Sequence, residues 1–209
     1  MARSSSKPVA RGRTRANDPE GLRERVLDAA ADLFQAHGYA ATGIQELFRA
    51  AGVTAGAFYH HFESKKQLGL AVVRERVASA VETTWLAPLR DAPTAIEGVA
   101  AVFAAIVREL DGNRAVRGCP ANNLTLELAY ADPDFRRELK AVFDRWRAAL
   151  AAKLADDMGR RALRKRDPDA LAAYVISVYS GAMALAKVEQ RSQPLGACLA
   201  ELRTALAAP

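Results

Sequence analysis

Apolar residues along this chain recur three and four positions apart, and no stretch keeps the two-residue alternation of a strand. Leu22, Val26, Leu27, Ala30, Leu33 and Phe34 form the first stripe. Asp18 and Pro19 supply its N-cap and first helical residue, and Gly38 supplies its stop. Thr42 with Gln45 predicts a capping box ahead of a short second helix that ends near Gly52. Thr54 caps a short third helix through Tyr59 and His60. Ser64 with Gln67 opens a longer fourth to about Trp85, with Pro88 and Pro93 marking the exit. Thr94 with Glu97, Pro120, Asp132-Pro133, Asp167-Pro168 and Pro194 start the rest, and Arg160 to Arg166 form a basic connection. The expected fold is all-α, with about nine helices.

Composition adds limits. The chain has 209 residues, 50% of them hydrophobic, enough for a core in one or two helical domains. A net charge of +6 favours a polyanionic partner. The charge is concentrated in residues 1–17, where Arg3, Lys7, Arg11, Arg13 and Arg15 meet no acid. That segment reads as a flexible basic arm, either touching DNA or only solubilising. It lacks the apolar run of a signal peptide, so the expected location is the cytoplasm. Cys119 and Cys198 are far apart and are expected to stay unpaired there. No Cys or His group has zinc spacing, so no metal or other cofactor is expected. Ala170 to Ala186 carries no charge, but it is short for a span, and Ser177, Ser180, Gly181 and two tyrosines dilute it. It reads as a buried subunit-contact helix, with no membrane partner.

Residues 50–66, AAGVTAGAFYHHFESKK, hold two of the three histidines. Adjacent histidines on a helix point apart, and no third ligand is near, which argues against a metal site. Two short helices separated only by residues around Gly52 have the layout of a helix-turn-helix, whose second helix enters the DNA major groove. The small residues Ala55, Gly56 and Ala57 allow close approach to DNA, and the helix N-terminus suits a phosphate. Tyr59 and His60 can donate to the DNA backbone, while Phe58 and Phe62 share a face that anchors the helix. Lys65, in the first turn of the next helix, opposes that helix's dipole unless a phosphate is present.

Residues 22–70 resemble the DNA-binding domain of the TetR family of bacterial regulators. The match runs through Thr42, Ile44, Leu47, Ala51-Gly52-Val53-Thr54, Gly56, Tyr59, Phe62, Lys65 and Leu68. The resemblance implies a helix-turn-helix domain over residues 18–66 and a helical ligand-binding and dimerisation domain over 67–209. It implies a homodimeric repressor on a palindromic double-stranded DNA operator, released when a small-molecule effector binds. By position, Thr42, Tyr59, His60 and Lys65 contact phosphate, and Thr54, Ala55, Gly56 and Ala57 face bases. Phe48 departs from the usual small residue and Ala55 from the usual polar one, so base reading would lean on Thr54, Gln45, His60 and DNA shape.

The second half is less explicit. Asn122, Asn123, Thr125 and Glu127 lie among apolar residues and need partners, which a ligand, a side chain or water could supply. The stretch RGCPANNLTLELAY is similar to a TetR subgroup in which some members sense electrophiles or oxidants through a cysteine. Cys119, at a helix N-terminus beside Arg117, is therefore either a low-pKa sensor or an inert core thiol. Trp85, Phe103, Phe143, Trp146 and Tyr174 are either core or pocket. The expected ligand set is Trp85, Phe103, Cys119, Asn123, Trp146 and Tyr174. The expected dimer surface is Tyr174, Ser177, Val178, Gly181, Leu185, Leu199 and Leu202. No nucleophile–base pair supports an enzyme. The alternatives are a helical enzyme acting on a small molecule or an adaptor without DNA binding.

Overall fold

The computed structural model describes residues 19–113 and 115–206. The basic arm and the Asp18 cap lie outside them. The helices are α1 (Pro19–His37), α2 (Ile44–Ala51) and α3 (Ala55–His61), then a long helical run, α4, over residues 65–91. They continue with α5 (Ala95–Gly112), α6 (Pro120–Leu128), α7 (Pro133–Gly159), α8 (Pro168–Glu189) and α9 (Gln193–Leu206). Helices α1 to α3 and the start of α4 pack as an N-terminal head; α5 and α7 to α9 form a bundle.

Helix α4 runs without a break in right-handed helical backbone through Lys65–Val72, Val73–Val77, Ala78–Val81, Glu82–Leu86 and Ala87–Asp91. Val73–Val77 and Glu82–Leu86 are wide π turns. The cause is in the side chains. Val73, Val77, Val81, Trp85 and Leu89 are all buried and fall every fourth residue. At about 3.6 residues per turn that stripe would drift about 40° per step around an α-helix. Alternating π and α turns bring the average close to four and keep the stripe on the core. Pro88 does not end the helix; it sits at the start of the last α segment, and the run continues to Asp91.

Side-chain caps form at Thr54, Ser64, Thr94, Asp132 and Asp167, each accepting a backbone N–H. The expected box at Thr42 does not form: Gly43 is the N-cap of α2, without a side-chain bond. One buried carboxylate, Asp157, accepts from the Ala95 N–H at 2.6 Å and pairs with Arg160 at 2.6 Å, tying the start of α5 to the end of α7.

Helix α8 is the one described helix long and apolar enough by composition to cross a membrane. Leu171, Val175, Ile176, Tyr179 and Met183 bury one side of it, and it packs against α7 and α9.

Candidate nucleic-acid interface and effector cavity

The turn between α2 and α3 is set by Gly52, whose left-handed backbone (φ 65°) lets its N–H and that of Val53 close the end of α2. Thr54 then caps α3, its Oγ1 accepting from the Ala57 N–H at 3.3 Å. Phe58 and Phe62 are buried, and Phe48 meets Phe58 at 5.1 Å. The large residue at position 48 therefore becomes part of the anchor under α3. Its ring also lies 6.2 Å from Tyr59, edge-on, and Phe58 lies 5.3 Å from Tyr59. These contacts hold the base of the tyrosine while 53% of it stays exposed.

Gln45, Thr54, Ala55, Gly56 and His60 are exposed on the same part of the head, and Ala57 is half-buried. A Cβ at Gly56 would meet nothing within 4 Å, so this glycine fills no packing need inside the protein. The His60 and His61 rings meet edge to face at 5.1 Å, closer than helical spacing suggested. No group of three or more potential metal ligands gathers among the described residues. Arg49, exposed in the last turn of α2, is a cation the sequence reading passed over. Its signal was its being the one basic residue in α2.

Two expected phosphate contacts are engaged elsewhere. Thr42 is buried, and its hydroxyl donates to the Gly38 carbonyl at 2.7 Å, closing the turn after α1. Lys65 lays its ammonium over the Tyr39 ring, 4.3 Å from the centroid, and donates to the Tyr39 carbonyl at 2.6 Å. Burial there lowers the Lys65 pKa. The conflict with the α4 dipole is thus answered by carbonyl groups of the head itself.

The same turn is gripped from the other side. Glu127 of α6 accepts the N–H of Tyr39 at 2.9 Å and of Ala40 at 2.6 Å. Gly38, at φ 88°, allows this twice over: its backbone is left-handed, and a Cβ would sit 3.2 Å from the Glu127 carboxylate. Next to this, Asn123 donates to Gln35 at 3.1 Å and to the Arg117 carbonyl at 2.9 Å, and accepts from Lys187 of α8 at 3.2 Å. Gln35 donates to the Gly118 carbonyl at 2.6 Å. Glu127 is therefore satisfied by the head, Asn123 by the head, the Arg117 carbonyl and α8 together, and Asn122 by Ser180 of α8. On α4, Arg23 of α1 forks onto Glu75 at 2.8 and 2.5 Å, and Arg76 reaches Asp28 and Glu24, each at 2.7 Å.

Behind Cys119 lies an aromatic cluster. The Trp85 ring is 4.8 Å from both Trp146 and Tyr179, and Phe103 closes on Trp85 and Tyr179 at 6.0 and 5.8 Å. A cavity of about 50 Å³ remains there, walled by Val81, Thr84, Trp85, Cys119, Trp146 and Tyr179 among others. Of the expected ligand set, Trp85, Cys119 and Trp146 line it. Phe103 packs on two of its walls without lining it. Tyr174 is absent from its walls and 45% exposed on the outer side of α8, where the helix phase carries it away from the core. Tyr179, five residues further on and about 140° around the helix, takes its place. A second, larger groove of about 440 Å³ runs between α6 and α8, where Asn123, Leu126, Met183 and Val188 line it and Cys119 forms part of the wall.

The Cys119 thiol is buried, and burial pushes its pKa up, outweighing hydrogen bonds from the Asn122 N–H, Tyr179 and the Ala121 N–H. The expected lowering at a helix N-terminus is overridden by desolvation. Burial also raises Tyr179 well above the ordinary phenol range. On the outer side of the bundle, Tyr174, Ser177, Gly181 and Leu185 are exposed, and Val178 and Leu199 are half-buried. Leu202 is fully buried within its own protomer and cannot face a partner.

Comparison with known proteins agrees with this architecture. Residues 26–72 match the family described as bacterial regulatory proteins, tetR family. Residues 95–201 match the C-terminal domain of LmrA/YxaF-like transcriptional regulators. The chain is 31% identical to the HTH-type transcriptional repressor DhaR of Mycobacterium sp. (strain GP1), over 83% of this chain and 86% of that protein. It is also 31% identical to the transcriptional regulator AcuR of Cereibacter sphaeroides, over 88% of this chain and 85% of AcuR. The crystal structure of a TetR transcriptional regulator from Chloroflexus aurantiacus superposes with a TM-score of 0.80 at 31% identity, covering 89% of this chain and 94% of that one. A helix-turn-helix head joined to a helical domain of this kind, with relatives of this extent, places the chain in the TetR family of bacterial transcriptional regulators, which are not enzymes.

Proposed function

We propose that the chain is a ligand-responsive repressor that binds a palindromic operator as a homodimer and leaves it when a small molecule enters the C-terminal domain. The observation that carries this reading is the grip of Glu127 on the Tyr39–Ala40 turn. It ties α6, whose N-cap Cys119 walls the cavity, to the head that carries α3. Tyr59, His60 and Thr54 are the proposed phosphate and edge contacts, with Gln45 and Arg49 flanking them and Ala55, Gly56 and Ala57 giving close approach. Thr42 and Lys65 support the head's own turn. The partner subunit covers the uncharged outer side of α8, at Tyr174, Ser177, Val178, Gly181 and Leu185, with Leu199 at its edge. The protein works in the cytoplasm without a cofactor.

The test is a mobility-shift titration with DNA from upstream of the protein's own gene, run at several salt concentrations. Affinity should fall steeply with salt as phosphate contacts release counterions. Tyr59→Phe should weaken binding about tenfold, the equivalent of about 1.4 kcal/mol, whereas Lys65→Met should leave the salt slope unchanged. No shift at any salt would refute the repressor, and a monomer by light scattering would refute the dimer.

A further inference from the structure

Trp146 has no exposed surface, and its Nε1 has no hydrogen-bond acceptor among the described residues. Most buried donors in folded proteins are partnered, and one left unmatched costs about 1–3 kcal/mol. Of the rings around it, Trp85 at 4.8 Å offers only a π face, a weak acceptor, and the hydroxyl of Tyr179, whose ring is 5.7 Å away, is engaged with Cys119 and Trp85.

The indole lines the cavity of about 50 Å³ behind Cys119. At roughly 30 Å³ per water-sized group, that space takes about two non-hydrogen atoms. No Asp, Glu, Lys, Arg or His is in its wall. An ion entering it would exchange water for a surface without a countercharge, which is expensive. A hydrocarbon would fit the volume but leave the indole donor unmatched. One wall is the wide turn Glu82–Leu86 of α4, and such turns are frequent at functional sites.

We propose that this cavity receives a compact, uncharged effector, or the compact uncharged end of one, and that Trp146 Nε1 donates a hydrogen bond to its single acceptor atom, of the carbonyl or nitrile type. The proposal rests on the ligand-responsive reading above, but occupancy can be read without DNA.

The chain has two tryptophans, and both line this cavity. The full-length ¹⁵N-labelled protein therefore gives two indole cross-peaks from one place, assigned with Trp85→Phe. The probes are acetonitrile, a slim neutral acceptor whose two-atom nitrile end matches that volume, and formate, an anion of similar size. Acetonitrile should move the Trp146 indole proton downfield in a saturable way, and formate should leave it in place. The proposal is overturned if the peak ignores acetonitrile, follows formate equally, drifts linearly with the exposed backbone amides, or shows exchange with a resident water that acetonitrile does not displace. Operator binding is measured on the same sample. Saturation without DNA binding removes the repressor and keeps the cavity assignment; DNA binding with a silent indole does the reverse.

Discussion

The anchor under α3 and the wall of the indole cavity are both aromatic clusters, and they use their rings in opposite ways. In the head, Phe48, Phe58 and Phe62 are buried so that Tyr59 can stand half in water. Its hydroxyl has no partner among the described residues and is open to one outside. In the C-terminal domain, Trp85, Phe103, Trp146 and Tyr179 turn on one another, and the polar tips of that cluster are inside. The first arrangement needs only rings with no polar atoms below the surface. The second must match every donor it encloses, and at Trp146 it does not. An aromatic cluster that presents a side chain can be packed for stability alone, whereas one that lines a cavity carries a polar demand with it.

The contrast breaks most forcefully at Phe58. Phe58→Ala removes the central ring of the head and should cost about 3–5 kcal/mol. Urea unfolding followed by circular dichroism should then separate from unfolding followed by tryptophan emission, because both tryptophans lie in the C-terminal domain. If the two transitions stay together, the clusters belong to one cooperative unit.

A smaller effect is expected at the joint between the regions. Glu127→Ala leaves two backbone N–H groups without their carboxylate and should cost about 1–3 kcal/mol. Hydrogen exchange should quicken at the Tyr39 and Ala40 amides and stay unchanged at the centre of α7. Unchanged protection at those two amides would mean that the carboxylate does not hold the turn.

The smallest effect sharpens the chemistry of the enclosed cluster. With its pKa raised by burial, Cys119 is a neutral thiol at neutral pH and ionises only above the ordinary thiol range. Iodoacetamide should label the partly exposed Cys198 first, and labelling of Cys119 should climb with pH in the alkaline range. The sign for stability follows: this contribution is complete below the unfolded-state pKa and is lost as pH rises through the higher folded one. Equal labelling of the two cysteines at neutral pH would restore the sensor reading of Cys119.

What could be read from the sequence was local. Caps at Thr54, Ser64, Thr94, Asp132 and Asp167 are decided by residues two or three positions away, and all five form. The anchor pair Phe58 and Phe62 follows from helical spacing. Thr42 does not cap α2 because the helix starts one residue later, on Gly43, and the threonine hydroxyl donates back to the Gly38 carbonyl. The fate of Lys65 is set by Tyr39, 26 residues earlier, and that of Glu127 by the same turn 88 residues earlier. Tyr179 gave no signal, because the stretch around it holds no charged residue to mark which side is out. Leu202 was assigned to the wrong side of α9 for a related reason: an amphipathic stripe shows which residues are buried but not whether a subunit partner or the chain's own bundle covers them.

The wide turns of α4 bear on how this chain can change in length. A π turn holds one residue more than the α turn it replaces, and the helix on either side keeps its phase. Losing one residue inside Val73–Val77 or Glu82–Leu86 would close that turn to α pitch and leave the flanking stripe on the core. Losing one from Lys65–Val72 would rotate everything beyond it by about 100° and carry Trp85 off its cavity. Single-residue deletions in related chains should therefore gather in the two wide turns and avoid the segment between them and the head.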